Sequence, residues 1–228
     1  SMHTGFAGQL RYLMLQNFLA VLVVAQLLLG FGFFAAEIGK GGFGLGHGIT
    51  LLYNTESLRT QQKNAAVSDD GRYEGRKASA TMKSLAGAYE AIAAWGVVPE
   101  VCEMDAYDWS DPQGKTIVLT NLVALPSGAW ERLDDFVRKG GRMIATGLTG
   151  FYDQNMHCIL MDDFPLRRCF GAQISEYKAV APYFTIACDT PATTLPAHLW
   201  KGILRPDRAQ AIAMHGDDAV SYTHLRAH

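Results

Sequence analysis

The sequence predicts an α/β domain built on a doubly wound, mostly parallel sheet, and three observations lead there. Two short runs, Thr116-Ile-Val-Leu-Thr120 and Met143-Ile-Ala-Thr146, are almost wholly apolar, as strands covered on both faces are. Between them Trp130, Leu133, Phe136 and Val137 recur at helical spacing. Strand, helix, strand in that order implies a right-handed parallel crossover. The loop that follows, Gly147-Leu-Thr-Gly150, then lies beyond a carboxyl end of the sheet, where such folds bind ligands.

Taken in order, residues 12–36 carry no charged side chain and are long enough to span a bilayer as a helix. Only Arg11 precedes them and only Glu37 and Lys40 follow closely, so the flanks do not choose between a membrane span and a buried linker helix. The glycine-rich Gly39–Gly48 has the look of a phosphate loop without its spacing and without a preceding strand. It reads as a connector, and no cofactor is expected. Residues 1–48 are therefore an apolar helix and linker, and the globular part begins at Ile49.

Ile49 to Tyr53 is the first strand, ending in Asn54-Thr-Glu56-Ser57. Arg59 to Gly75 is polar and turn-rich, and reads as a loop. Ala78 to Trp95 carries Met82, Leu85, Ala86, Tyr89, Ile92 and Ala93 on one helical face and stops at Gly96. Val97 to Glu103 alternates as a second strand, and Asp105 to Gly114 is an acidic turn. The third strand leads to a helix that Ser127 is placed to cap. Glu131, Asp134 and Asp135 precede Arg138 and Lys139 along that helix, which suits its dipole, and Gly140-Gly141 stop it. Beyond Gly150 a helical turn at Phe164–Phe170 and strands at 172–177, 183–188 and 199–204 are expected. The domain is taken to run from 49 to 213. Residues 214–228 end in SYTHLRAH, change character, and read as a non-native tail in which His224 and His228 have no metal-binding role.

The chain has 228 residues, 49% apolar and 18% charged, enough for a sizeable core. A net charge of −2 with no basic block argues against a nucleic-acid partner. Cys102, Cys158, Cys169 and Cys188 form no CxxC pair, so reduced cysteines of a cytoplasmic protein are expected, with membrane anchoring through 12–36 as the alternative. His157-Cys158 with Cys169 eleven residues on is a poor zinc pattern, and no metal site is expected. Glu56, Glu103, Asp105 and Asp153 all follow strands, but a solvated loop is the plainer place for them. The loops after the first, third and fourth strands should converge, bringing Asn54, Glu56, Asn121, Gly147 and Thr149 together. The elbow at 147–150 contains no Cys or Ser, and no histidine is expected to reach Thr149, so catalytic residues are expected to be absent.

Several segments resemble one family: LLYNTES, AYEAIAAWGVVPEV, TIVLTNLVALPSGAWERLDDFVRKGGRMIATGLTGFYDQN and FPLRRCFGAQISEY. They are similar to the trimerisation domain of family 42 glycoside hydrolases, bacterial beta-galactosidases, and of related glycosyl hydrolases. The resemblance implies a flavodoxin-like sheet, similar to class I glutamine amidotransferases but without their cysteine. Leu148 and Thr149 stand where that cysteine would be. It also implies a homo-oligomer, a trimer by analogy, joined to a TIM-barrel catalytic domain of the parent chain that carries the two catalytic glutamates. Asn54, Glu56, Asn121, Gly147 and Thr149 would then form a vestigial cleft. Two other readings stay open: an amidotransferase-like hydrolase with a displaced nucleophile, Cys102, and a membrane-tethered binding module.

Overall fold

The computed structural model describes residues 48–67, 78–94, 96–159, 164–179, 184–189, 192–197, 200–207, 210–215 and 217–223. The apolar run at 12–36, Gly39 to His47 of the connector, Trp95, His198, His224 and His228 lie outside the described residues.

Four strands, β1 (Ile49–Tyr53), β2 (Glu100–Glu103), β3 (Thr116–Thr120) and β4 (Arg142–Thr146), form one sheet in the order β2-β1-β3-β4, every pair parallel. All five residues of β3 are buried, which is why that stretch is apolar without alternation. Helices cover both faces. Leu85, Ala88 and Ile92 of α2 (Ala80–Ala94) pack on Ile49, Leu51 and Val118. Ala129, Leu133 and Phe136 of α3 (Ser127–Arg138) pack with Leu52, Ile117 and Leu119 on the other face. Each fully buried Leu or Ile contributes about 1.5–3 kcal/mol of transfer free energy. The flavodoxin-like, doubly wound architecture is thus present.

Local differences from the expected elements have physical causes. Of the stretch expected as a loop from Arg59 to Gly75, residues 59–67 are helical, since α1 runs Thr55–Val67, and 68–75 lie outside the described residues. It buries Ser57, Thr60 and Gln61 rather than an apolar stripe, so no hydrophobic periodicity announces it. Ser127 does not cap α3, because Pro126 occupies the cap position and no side chain bonds the first N–H groups. On α2 the apolar face is narrower than its composition suggests: Met82 and Tyr89 are 45% and 36% exposed, beside the sheet-facing stripe. β2 begins at Glu100, three residues later than expected, after an exposed Val98 and a buried Pro99.

After α4 (Arg167–Phe170), closed by Gly171 in the left-handed conformation, the chain turns antiparallel. β5 (Ala172–Ala179) pairs with β8 (Trp200–Pro206). A second sheet has the order β10-β9-β6-β7, from β6 (Phe184–Asp189), β7 (Ala192–Ala197), β9 (Gln210–His215) and β10 (Asp218–Thr223). β5, β6 and β8 fall where strands are expected; β7, β9 and β10 are additional. Pro196 disguises β7, and it is tolerated because β7 is an edge strand in this sheet. β9 runs through residue 213, and β10 pairs Ser221, Tyr222 and Thr223 with it, so the ladder includes these residues of the last segment.

Candidate functional site

The order β2-β1-β3-β4 reverses direction between β1 and β3, so the crevice that a doubly wound sheet offers a ligand opens beyond those two carboxyl ends. Side chains of the chain itself fill it. Asn54, immediately after β1, donates its amide to the Ala124 carbonyl at 2.9 Å and accepts from the Ser57 N–H at 2.9 Å, the geometry of a cap on α1. The Ser57 hydroxyl donates to the same carbonyl at 3.0 Å and accepts from the Ala124 N–H at 3.1 Å. β1 and the segment after β3 are thereby sewn together across the switch point.

A second set of bonds joins that segment to the elbow after β4. Asn121 sits at φ 55°, and its side-chain oxygen accepts from the Leu148 N–H at 3.1 Å. Gly147, at φ 65°, packs against this side chain so closely that a Cβ there would stand 2.7 Å from the Asn121 Oδ1. Glycine is required at that position for both reasons. The Thr149 hydroxyl accepts from the Leu122 N–H at 3.2 Å and donates toward the Thr146 carbonyl at 2.6 Å, with the Leu119 carbonyl at 3.3 Å. Thr149 is 4% exposed. Its hydroxyl is held as a structural clip, and among the described residues no histidine or carboxylate bonds it.

The five cleft residues therefore divide. Asn54, Asn121, Gly147 and Thr149 meet in or beside these loop-to-loop bonds. Glu56, half-buried in the first turn of α1, stands outside them, where its charge suits the helix dipole. Sequence reasoning missed Ser57, Gln61 and Thr81. The Thr81 N–H donates to the Gln61 Oε1 at 2.8 Å and its hydroxyl to the Asn121 carbonyl at 2.9 Å, tying α1, α2 and β3 to one another. The only sequence signal for these was Asn54 three residues before Ser57, a cap spacing.

Among the described residues, the chemistry that would contradict a structural role is not assembled. His157 bonds Asp153, Nδ1 to Oδ2 at 3.3 Å, in an exposed loop, and no hydrogen bond joins it to Thr149. Burial would raise the Asp153 carboxyl, but the backbone N–H groups of His157 and Asn155 outweigh it and hold the group below the usual carboxylate range. Among the described residues no three His, Cys, Asp or Glu side chains approach closely enough to hold a metal ion. The Cys102 alternative also fails on chemistry. Its Sγ donates to the Glu103 carbonyl at 3.3 Å, and burial first, then the carboxylates of Glu100 and Glu103, push its thiol up rather than down.

The thiols give a graded expectation. Burial, reinforced by Asp134, pushes Cys169 up from 9.0 to about 12. Iodoacetamide at pH 8 should label exposed Cys158 first, Cys102 more slowly, and Cys169 only on unfolding, as read by peptide mass mapping. The folded state holds the Cys169 proton more tightly, so its contribution is unchanged below pH 9 and turns against folding as pH rises from there toward about 12. Thr149→Val, nearly isosteric, should cost about 1–3 kcal/mol in urea unfolding by leaving the Leu122 N–H unpaired. A loss below a few tenths would discount the clip.

The fold and the loop-to-loop bonds define the class: a doubly wound α/β domain whose described switch-point side chains bond the chain's own backbone. Residues 48–224 match the family described as the beta-galactosidase trimerisation domain, and the chain belongs to that family. The beta-galactosidase BgaA of Clostridium cellulovorans is 29% identical over 118 residues, which are 50% of this chain and 18% of that protein. A cold-adapted beta-galactosidase from Rahnella sp. R3 shares the fold at a TM-score of 0.61 and 22% identity, over 76% of this chain and 25% of its own. The beta-galactosidase of Bacillus circulans sp. alkalophilus does so at 0.60 and 17%, over 77% and 26%. The chain thus spans about a quarter or less of the length of these three relatives.

Proposed function

We propose that this chain is the oligomer-forming middle part of a larger glycoside hydrolase of the beta-galactosidase kind, acting as a homotrimer beside a TIM-barrel domain that does the chemistry. The observation that carries the reading is the family match over 48–224. The crevice supports it, because the place where an α/β domain would hold substrate is sealed by Asn54, Ser57 and Ala124. The elbow supports it too: Thr149 stands where an amidotransferase-like domain would need a cysteine, and its hydroxyl is spent on backbone. Among the described residues no helix is long and apolar enough to cross a membrane. A cytoplasmic location is part of the reading, supported by the absence of a disulfide at Cys102, Cys158 and Cys169.

Sedimentation of the purified chain should give a species of three times its 24.9 kDa mass. A strictly monomeric chain over the micromolar range would count against association through this domain alone. The same preparation should leave an aryl galactoside intact. Turnover that survives repurification and tracks the chain would overturn the non-catalytic role.

A further inference from the structure

Beside the sealed crevice lies a second polar feature. Gln61 and Thr120 are each 1% exposed. Among the described residues, their Nε2 and Oγ1 atoms have no hydrogen-bond partner. A buried amide N–H or hydroxyl without a partner costs free energy, so such a pair calls for an explanation. The amide orientation is not in question here. Gln61 Oε1 accepts from the Thr81 N–H at 2.8 Å, which leaves Nε2, a donor, as the outward end.

Thr81 links the two residues through Gln61 and through Asn121, the neighbour of Thr120 in the chain. Its N–H donates to Gln61 and its hydroxyl to the Asn121 carbonyl. Strand alternation puts Thr120 on the same face of the sheet as Val118, which packs under α2. α2 begins at Ala80, so its first turn, the second turn of α1 and the carboxyl end of β3 enclose the same place.

We infer that a single water molecule is bound here, bridging Gln61 Nε2 to Thr120 Oγ1 at the start of α2. Water fits the donor set. It accepts from the amide, and it can either donate to the hydroxyl or accept from it. It also brings no charge to a place where neither side chain ionises. The water completes the seam that Asn54 and Ser57 begin, so the three loops and both helices on this side close as one unit. This inference does not rest on the trimer reading.

Two measurements on the intact chain test it. A crystal structure that resolves ordered solvent should show density within hydrogen-bond reach of both atoms, and water-to-amide cross-relaxation by NMR should reach the Gln61 side-chain N–H. Side chains found paired with protein atoms, with no density between them, would overturn it. Thr120→Val gives a test of sign. With the water in place, the change strands the amide and its water, and the folded-to-unfolded ratio should fall about 5-fold or more. If no water bridges the pair, swapping an unpaired buried hydroxyl for a methyl leaves the ratio unchanged or raises it, and the inference fails.

Discussion

Phe136→Ala should destabilise the chain by about 3–5 kcal/mol, a large share of the stability of a domain this size. The ring is 2% exposed and lies edge-on to Trp109 at 5.9 Å and Tyr107 at 6.2 Å between centroids. Those two aromatics come from the acidic turn between β2 and β3 and pack edge-on against each other at 4.8 Å. The opposite wall is backbone. Gly141 approaches so closely that a Cβ there would run into the ring. A wall made of main chain cannot collapse into the cavity left by the substitution, which favours the upper part of the range. Urea unfolding followed by tryptophan fluorescence would measure it, since Trp109 reports directly on the site. A midpoint shift equivalent to under about 1 kcal/mol would mean that the ring is not the keystone of this face. Gly141→Ala should fail for the complementary reason, by expelling the same ring.

Asn54→Ala should cost about 2–3 kcal/mol, more than a surface cap does. The side chain makes two bonds to backbone, to the Ala124 carbonyl and from the Ser57 N–H, and is 2% exposed. Removing it leaves a helix N–H unpaired inside the protein and takes one of two donors from a buried carbonyl. Asn54→Asp keeps the cap acceptor and loses the donor, so it should fall between wild type and the alanine variant. Hydrogen exchange at Ser57 should rise well before that in β3. Equal protection across α1 in both proteins would show that the helix is held by its packing alone, and would remove Asn54 from the account.

How much of this was legible in the chain depends on what kind of contact each element uses. β3 and α3 were readable because burial by apolar side chains leaves a trace: five buried residues in a row for the strand, and Leu133 and Phe136 with Ala129 for the helix. β4 was found by the same apolar run, but as an edge strand it is only half-buried, not covered on both faces as expected. α1 was not readable. Its buried face is Ser57, Thr60 and Gln61, and polar residues at helical spacing look like any loop until their partners are known. β7 was hidden by Pro196, which looks like a strand breaker unless the strand is at an edge. The same distinction runs through the cleft. That Asn54, Asn121, Gly147 and Thr149 would gather followed from topology, because the loops after β1, β3 and β4 leave the same end of a parallel sheet.

By itself the sequence determined the fold class, the absence of a thiol or serine at the elbow, and a family likeness, because these depend on residue type and spacing along the chain. Only the tertiary structure shows which partners the cleft residues take. Thr149 has the same hydroxyl whether it faces substrate or the Leu122 N–H, and Cys102 the same sulfur whether a cation or two carboxylates lie beside it. The choice rests on partners 27 and 67 residues away, Thr149 with Leu122 and Ser57 with Ala124. Hydrogen bonds of that separation are specified by geometry, and they leave no pattern in sequence for a local reading to find.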